Sequence, residues 1–392
     1  MTCPKSLRTP EEFDTLEATF YTPTMLKLAL IAALTCAASA SVGKLHVFIL
    51  TGQSNMEGHG VATLEAGAND GNGTLEWQLN VSHDALPVCK TMAEPPREGC
   101  RAEGASFDGL KDADGNWTVF KSVTSVFRGS TNKTGPLSIG FGFQDSWIGP
   151  EYGFGIALAD KLGEDERVLL LKWAWGGTSL DGDWRPPSTV AADGGVVGWC
   201  YGNMTQTVHE ILERELDVIV DGYDYATDSY AIEGFAWHQG WNDGCDDEAY
   251  RYEANLANLI ADVRAEFDAP SLPVAIGLSG FDGYGQAIDR RLEVMRAQYN
   301  VTTHVPFVGT VETRGFFRDF AETNGSINQG YHWFGNGETY YYLGTAMGRA
   351  MGALLDGAWT QPYINTTVPP APNSTARLAS CGVYEDGSPC AY

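Results

Sequence analysis

Apolar residues recur along this chain in short uninterrupted runs, which alternate with segments of helical periodicity. Runs of this length and composition are typical of parallel strands buried on both faces. Between them, apolar side chains repeat every three or four residues, which predicts helices. Strands that alternate with helices predict a doubly wound α/β fold, with a sheet of about five parallel strands and helices on both faces. The predicted strands are Leu45–Leu50, Val168–Trp175, Ile232–Trp237, Pro273–Leu278 and Val305–Val311, and the predicted helices are Tyr152–Leu162, Thr205–Val220, Glu248–Phe267, Gln286–Tyr299 and Tyr340–Leu355.

Two stretches lack this alternation. Residues 60–148 are rich in Gly, Asp, Asn and Thr and have weak periodicity, so we expect a large loop insertion after the first strand, over the active-site edge of the sheet. From about Thr360 the chain becomes rich in Pro, Asn and Thr, and residues 361–392 are predicted to be a tail that ends in a Cys-closed loop. The folded domain is therefore expected to span residues 41–360.

The N-terminal region has the pattern of a secretory signal. Met25-Leu26-Lys27 precedes an apolar run from Leu28 to Ala38, and the small residues Ala38-Ser39-Ala40 follow. We expect a signal peptide at residues 25–40, with residues 1–24 a spurious or cytosolic extension. Because the apolar run is short for a transmembrane helix, no membrane association is expected after cleavage.

Composition supports a secreted protein. The chain has 25 Lys and Arg residues against 50 Asp and Glu residues, a net charge of -25 that disfavours nucleic acid and anionic membranes as partners. Many Asn-x-Ser/Thr sequons predict N-glycosylation in the secretory lumen or outside the cell. These sequons are at Asn72, Asn80, Asn116, Asn132, Asn203, Asn300, Asn324, Asn365 and Asn373.

Cysteine usage points to the same compartment. Of the 8 cysteines, all but Cys3 and Cys36 follow the predicted cleavage site, and an even number there suggests three disulfides. Spacing favours two local loops and leaves one long-range pair, although many pairings are open to six cysteines. The favoured pairs are Cys89–Cys100, Cys381–Cys390 and Cys200–Cys245, and none has the spacing of a zinc site.

Candidate catalytic chemistry begins at the end of the first predicted strand. Ser54 follows Gly52 at a strand-to-helix turn, and open α/β sheets place their active sites at such strand ends. The Ser54 backbone N–H is then a candidate oxyanion donor. Taken alone, Ser54 is about equally well interpreted as the N-cap of the next helix.

Three more segments place polar groups near the same edge of the sheet. The second strand ends in Gly176-Gly177-Thr178, where paired glycines let the backbone approach a ligand. Gln239 and Asn242 follow the third strand and offer side-chain amide donors. His332 lies in a loop after all the strands, just before the last helix, and is the candidate general base.

Together these motifs resemble the SGNH hydrolase superfamily, and within it the sialate O-acetylesterase-like and family 6 carbohydrate esterase branch. The resemblance covers about residues 45–355 and implies an SGNH/flavodoxin-like fold. The matching blocks are Gly52-Gln53-Ser54-Asn55-Met56 for the nucleophile, Gly176-Gly177-Thr178 for a backbone oxyanion donor, Trp237-His238-Gln239-Gly240 for the W-x-Q-G block and Gly240-Trp241-Asn242-Asp243 for the broader G-x-N-D block.

The resemblance implies acyl transfer from an acetylated carbohydrate. Ser54 is then the nucleophile, His332 the base, and the backbone N–H groups of Ser54 and Gly177 hold the oxyanion. The third oxyanion donor is Gln239 by the branch pattern, with Asn242 as the alternative. This chemistry needs no cofactor and no metal. Asp246 and Asp247 follow the third strand where a helix begins, and N-capping explains them better than metal binding.

The chain departs from the family pattern three residues before the catalytic histidine. The family usually has Asp there, and this chain has Gln329, a neutral amide that cannot stabilise an imidazolium as a carboxylate does. Three explanations are open: a backbone carbonyl orients His332, a relocated carboxylate substitutes, or activity is lost. The candidate His-orienting residues are Gln329 and the carboxylates Asp243, Glu312 and Glu338. Loss of activity would leave a secreted glycan-binding protein with a degenerate esterase site.

Overall fold

The computed structural model describes residues 43–63, 73–80, 107–163, 165–318 and 329–366. Seven of the strands form one sheet in the order β4-β3-β6-β1-β7-β8-β9, and β2 pairs separately with β5. The strands are β1 (Lys44–Gly52), β2 (Gly60–Val61), β3 (Phe120–Gly129), β4 (Lys133–Leu137), β5 (Trp147–Ile148), β6 (Arg167–Ala174), β7 (Ser229–His238), β8 (Val274–Gly277) and β9 (Val308–Val311).

All five predicted strands are present, as β1, β6, β7, β8 and β9, and they run parallel to their neighbours. Within β1, Leu45, Val47 and Ile49 pack into one hydrophobic cluster, whereas Phe48 and Leu50 pack into another. This alternation explains the continuous apolar run, since a parallel strand in the middle of such a sheet is covered on both faces.

Helices cover the two faces. α3 (Pro150–Leu162) and α9 (Gly337–Leu355) contribute to the cluster that contains Phe48. The cluster that contains Leu45 receives side chains from α5 (Trp199–Arg214), α7 (Tyr252–Glu266) and α8 (Asp289–Asn300). The predicted helices are therefore confirmed, with shifts of a few residues at their ends. The helices are α1 (Ser54–Glu57), α2 (Leu75–Asn80), α3 (Pro150–Leu162), α4 (Pro187–Asp193), α5 (Trp199–Arg214), α6 (Leu216–Ile219), α7 (Tyr252–Glu266), α8 (Asp289–Asn300) and α9 (Gly337–Leu355).

The prediction of a loop insertion over residues 60–148 is wrong in part. Within it, β3 pairs in parallel with β6, and β4 pairs antiparallel with β3, so that this stretch extends the central sheet by two strands. In β3 the buried residues Val123, Val126 and Phe127 are interleaved with Lys, Ser and Thr. β4 is an edge strand that contains Lys133 and Pro136. Neither β3 nor β4 therefore has the continuous apolar run of a central strand.

The strand order places the carboxyl ends of β6, β1 and β7 side by side. After β1 the chain forms β3, β4 and then β6 on one side of it, and it crosses to β7 on the other side. Gly52, Ala174 and His238 are level with one another in the register. Ligands bind at such a point, where successive connections leave in opposite directions and open a crevice.

The predicted disulfide between Cys200 and Cys245 is not formed. Cys200, in the first turn of α5 (Trp199–Arg214), is a free thiol that is fully buried in a hydrophobic cluster next to the Thr178 hydroxyl. The Cys245 Sγ instead donates a hydrogen bond to the Trp241 carbonyl at 3.4 Å. The sequence spacing suggested the pair only by elimination, whereas burial in an apolar environment explains Cys200 without a disulfide.

Several other predictions fall outside the described residues. These are the signal peptide at residues 25–40, the tail from residue 367, the cysteines Cys89, Cys100, Cys381 and Cys390, and the sequons at Asn72, Asn324 and Asn373. Of the sequons within the described residues, Asn116, Asn132, Asn203 and Asn365 are exposed. No helix in the described ranges is both long enough and apolar enough to cross a membrane.

Candidate active site

Ser54 lies at the carboxyl end of β1 as the first residue of α1, and Gln53 is the N-cap. Gly52 is required at this turn, because a Cβ there would lie 2.0 Å from the His238 carbonyl oxygen. The Gln53 side chain fixes the turn against β7, since its Oε1 accepts hydrogen bonds from the backbone N–H groups of Gly240 and Trp241 at 3.0 and 2.9 Å. The interpretation of Ser54 as an N-cap is therefore wrong, and Ser54 is 8% exposed at the edge of the crevice.

A network of hydrogen bonds joins the Ser54 segment to the His332 segment. Asn55 Nδ2 donates to the Tyr331 carbonyl at 3.0 Å. The Tyr340 hydroxyl donates to Asn55 Oδ1 at 2.6 Å and lies 3.4 Å from the His332 carbonyl. The residue after Ser54 is thus bonded to the residue before His332, although the two are far apart in sequence.

His332 is oriented by the Gln329 side chain. The distance between His332 Nδ1 and Gln329 Oε1 is 2.7 Å. With the amide oxygen facing the ring, Nδ1 carries the proton and the Nε2 lone pair is available as a base. The side-chain oxygen of Gln329 therefore occupies the position of the usual carboxylate, and no backbone carbonyl is needed.

A second histidine covers the His332 ring. His59 stacks on it with ring centroids 3.6 Å apart and an angle of 16° between the planes. Phe143 stacks on His59 in turn, at 5.2 Å. Burial, followed by the nearby His59, lowers the pKa of His332 to about 2, so that the ring is neutral at ordinary pH.

None of the predicted relocated carboxylates hydrogen-bonds to His332. Asp243 is fully buried and accepts hydrogen bonds from the backbone N–H groups of Leu180 and Asp181. Glu312 pairs with Arg314, and Glu338 lies 3.4 Å from Arg318. The prediction of a relocated partner among these three residues is wrong, because each carboxylate is held by a donor of its own.

The side-chain amides after β7 differ in the donors that they leave available. Both N–H groups of Gln239 have acceptors, the Thr178 carbonyl at 2.9 Å and Asp243 Oδ2 at 2.6 Å, and its oxygen accepts from the Tyr252 hydroxyl. Gln239 therefore has no N–H left for an oxyanion, contrary to the favoured prediction. Asn242 is half-buried and uses its amide nitrogen for one hydrogen bond, to the Gly177 carbonyl. No other described residue accepts a hydrogen bond from Asn242, which leaves its second N–H available.

Two backbone N–H groups in the crevice also lack acceptors. Within the described ranges, no residue accepts a hydrogen bond from the N–H of Ser54 or of Gly177. Gly177 has φ of 71°, in the left-handed region that favours glycine. Gly176 lies against the nucleophile, because a Cβ on it would be 3.3 Å from the Ser54 Cβ.

Glu57, at the end of α1, binds the second glycine block, Gly176-Gly177-Thr178, and fixes its position. Its Oε1 accepts a hydrogen bond from the Gly176 N–H at 2.8 Å, and its Oε2 lies 3.5 Å from His59 Nε2. Burial raises the pKa of Glu57, but the neighbouring His59, Ser130 and Gly176 outweigh it and hold the pKa below its ordinary value. Glu57 is therefore an ionised acceptor that fixes the Trp175–Gly176 peptide, one residue before Gly177.

A fully buried ion pair between Lys172 and Glu151 contacts the end of α1. Lys172 Nζ donates to the Glu57 carbonyl at 2.8 Å, to the Phe141 carbonyl at 2.6 Å and to Glu151 Oε2 at 2.6 Å. Both charged side chains are 0% exposed. The second oxygen of Glu151 accepts from the Gly149 N–H. The pair thus links β6, the start of α3 and the end of the nucleophile helix.

Metal binding has no support in the described part of the chain, where no group of three or more His, Cys, Asp or Glu side chains is arranged to hold an ion. The predicted capping role is confirmed for Asp246, whose side chain accepts from the Glu248 N–H at 2.9 Å.

The sequence analysis assigned no role to several residues that build the site, namely Gln53, Asn55, Glu57, His59, Glu151 and Lys172. One signal for Lys172 was present, since a lysine inside a continuous apolar strand must have a buried partner. A similar signal was the density of polar residues from Gln53 to His59, directly after a buried strand. Nothing local in the sequence indicated which partners these residues would meet.

Residues 128–330 match the family described as "carbohydrate esterase, sialic acid-specific acetylesterase", which is about half of the chain. The match includes Gly177, Gln239 and Asn242, whereas Ser54 and His332 lie on either side of it. No curated protein matches the chain by sequence.

The solved structures that match the chain have low sequence identity to it. A protein from Arabidopsis thaliana is 18% identical, with a TM-score of 0.46, over 78% of this chain and 97% of its own. A carbohydrate acetylesterase from Xanthomonas citri is 15% identical, with a TM-score of 0.38, over 68% of this chain and 49% of its own. NanS is 11% identical, with a TM-score of 0.39, over 69% of this chain and 78% of its own.

The residues that match the family form part of the crevice at the carboxyl ends of β6, β1 and β7. The matched region supplies the second glycine block and the amide-bearing loop after β7. By this match the chain belongs to the sialic acid-specific acetylesterase family of carbohydrate esterases, and it is a carbohydrate O-acetylesterase.

Proposed function

We propose that the enzyme removes O-acetyl groups from glycans through an acyl-enzyme on Ser54, with His332 as the general base. The observation that carries this proposal is the bonding of Asn55 to Tyr331, which brings the segments of the two residues together. The stacking of His59 on His332 joins the same two segments a second time.

In this mechanism His332 Nε2 removes the proton from Ser54 Oγ as the oxygen attacks the acetyl carbonyl. The tetrahedral oxyanion is held by the N–H groups of Ser54 and Gly177 and by the remaining N–H of Asn242. Collapse of the intermediate breaks the ester bond, and the sugar oxygen leaves with the proton from His332. Water then attacks the acetyl-enzyme with His332 again as base, which releases acetate and restores Ser54.

Gln239 has a positioning role in this proposal. Its amide joins the Thr178 carbonyl to Asp243, and Asp243 in turn binds the backbone of Leu180 and Asp181. These hydrogen bonds connect the loop after β6 to the loop after β7. They support the placement of Gly177 and Asn242, which belong to those two loops.

The proposed nucleophile is tested with an aryl acetate and a serine-directed phosphonate. Ser54→Ala should abolish both turnover and labelling, while circular dichroism and the unfolding midpoint stay unchanged. Ser179→Ala is a matched control, since Ser179 lies in the loop after β6 and its hydroxyl accepts from the Gly182 N–H. Labelling of a different serine would overturn the assignment. Absence of turnover in the wild type, together with glycan binding, would favour the binding-protein alternative.

We further propose that the enzyme is secreted and N-glycosylated. The signal pattern at residues 25–40 and the exposure of Asn116, Asn132, Asn203 and Asn365 support this. Expression of the full chain in a eukaryotic host, followed by N-terminal sequencing of the medium, should give a start near Ser41. Peptide mass spectrometry should find glycan on exposed sequons. Retention of the protein in the cytosol with an intact N-terminus would contradict the proposal.

A further inference from the structure

His59 contacts the proposed base, His332, but takes no part in the mechanism above. Its side chain is buried, and its ring lies nearly parallel to the His332 ring, with centroids 3.6 Å apart and 16° between the planes. At that separation the two rings are in van der Waals contact across their faces. The Tyr331 ring meets His332 at 70°, edge-on, and does not lie along its plane. The plane of the His332 ring is therefore set against His59.

The hydrogen bond to Gln329 does not by itself fix that plane. The torsion about the Cβ–Cγ bond of a histidine is broad, and a hydrogen bond tolerates a donor angle well short of linear. Rotation about this bond can keep Nδ1 near the Gln329 oxygen while it turns the Nε2 lone pair away from Ser54. With His59 in face-to-face contact, the same rotation drives one edge of the His332 ring into the second imidazole.

His59 is itself held by side chains around it. Phe143 stacks on it at 5.2 Å and 15°, and Trp147 packs against it at 5.4 Å. The Oε2 atom of Glu57 lies 3.5 Å from His59 Nε2. These contacts come from the end of α1 and from the segment that leads into β5, so the His59 ring has a defined position without any contribution from a substrate.

The backbone ties His59 to the nucleophile. The Gly58 N–H donates to the Ser54 carbonyl at 3.0 Å, and the Gly58 carbonyl accepts from the Phe143 N–H at 2.8 Å. Directly after His59, the strand β2 pairs with β5. His59 thus has a fixed place relative to Ser54, and contact with its ring gives His332 the same reference.

We propose that His59 is a positioning residue, which fixes the plane of the His332 ring by stacking and so replaces part of the restraint that a carboxylate partner would supply. A hydrogen bond to an ionised carboxylate is shorter and about twice as strong as one to a neutral amide such as Gln329. This role rests on the proposed function, because it takes His332 as the base. It requires a flat ring at position 59 and does not require the imidazole nitrogens.

Steady-state hydrolysis of an aryl acetate by two variants separates a flat ring from mere filling of space. His59→Leu removes the flat face, and it should lower kcat by about 10- to 100-fold with KM within about twofold of the wild type. His59→Phe keeps the face, and its kcat should stay within about threefold of the wild type. His209→Leu is the matched control, since His209 also contacts an aromatic ring and a carboxylate, Phe267 at 5.2 Å and Glu266 at 2.9 Å, but lies on α5. Its kinetics should not change.

A double-mutant cycle with Gln329→Glu tests whether stacking replaces the carboxylate. The stronger hydrogen bond of the glutamate variant should hold the ring by itself, so the loss of kcat caused by His59→Leu should shrink to about threefold in that background. NMR gives a signature that does not depend on turnover. The ¹⁵N shifts of the two His332 ring nitrogens should move toward each other in His59→Leu, as the ring exchanges between tautomers, and stay apart in His59→Phe.

Circular dichroism and the urea unfolding midpoint show which variants are folded. If position 59 does not tolerate substitution, Phe143→Ala carries the test, because Phe143 supports His59 and is 43% exposed. It should lower kcat by about threefold or more with Gln329 and have less effect in the Gln329→Glu background.

Equal kcat in folded His59→Leu and His59→Phe would overturn the inference. So would equal losses in the two backgrounds, whether from His59→Leu or from Phe143→Ala. Both results leave the proposed function in place as long as His332→Ala is inactive. Full turnover in His332→Ala would instead refute the proposed base, and the role of His59 with it.

Discussion

The contact between Gln329 and His332 yields a prediction that tests the central departure from the family pattern. Gln329→Glu keeps the length of the side chain and places a carboxylate oxygen where the amide oxygen now lies, 2.7 Å from His332 Nδ1. Gln329→Asp, although it restores the family residue, would be shorter by one methylene. The glutamate variant should therefore be the faster enzyme.

The expected gain follows from the charge that develops on His332. Opposite charges about 4 Å apart at an effective dielectric constant of about 20 attract by about 4 kcal/mol. Desolvation of the new carboxylate offsets part of this, since Gln329 is half-buried. A net gain of about 1–2 kcal/mol remains, close to the difference between a neutral and a charge-assisted hydrogen bond. That gain corresponds to about a 5- to 30-fold increase in kcat/KM.

The assay is steady-state hydrolysis of an aryl acetate, combined with NMR titration of the His332 ring. The carboxylate should also raise the pKa of His332, because it stabilises the imidazolium. Gln329→Met is the matched control: it keeps an unbranched side chain and removes the strong acceptor, and it should lower kcat by about tenfold or more through loss of ring orientation.

Two results would refute this reasoning. One is an unchanged or lower rate for Gln329→Glu with a raised His332 pKa and an intact fold, since the imidazolium would then not be formed in the rate-limiting step. The other is full activity in Gln329→Met, which would mean that Gln329 does not orient the base.

Three further predictions concern the oxyanion site, pH and stability. Asn242→Ala should lower kcat about 10²- to 10³-fold with little change in KM, because it removes an oxyanion donor. An equal loss of kcat in Gln239→Ala, with the stability of the fold unchanged, would instead indicate Gln239 as the donor. Burial lowers the pKa of His332 to about 2, so that the base stays neutral as the pH falls. We therefore expect kcat/KM to vary less than about threefold between about pH 8 and about pH 5. A tenfold loss of kcat/KM per pH unit below about 6.5 would contradict this. Lys172→Met should lower the free energy of unfolding, measured by urea denaturation, by about 3–5 kcal/mol, because it leaves Glu151 buried without its cation. A change below about 1 kcal/mol would show that the ion pair contributes little to stability.

Local sequence was sufficient for the elements that lie in the middle of the sheet. The run from Leu45 to Leu50 is apolar at every position except His46 because it is covered on both faces, and such a run is readable without any partner. The same holds for the strand-to-helix turn at Ser54, since Gly52 and the polar residues after it are contiguous. β3 and β4 were missed because they lie toward an edge, where polar and apolar residues mix.

The chemistry of the site depended on contacts between distant segments, and these only the tertiary structure decided. Gln239 and Asn242 are equivalent as amides in the sequence, and they differ because Asp243, Thr178 and Tyr252 happen to occupy every hydrogen-bonding group of the first. Asp243, Glu312 and Glu338 are all plausible partners for His332 by residue type, but each is held by a donor of its own. A side chain's type fixes which hydrogen bonds it can make, and only packing fixes which groups come within 3 Å of it.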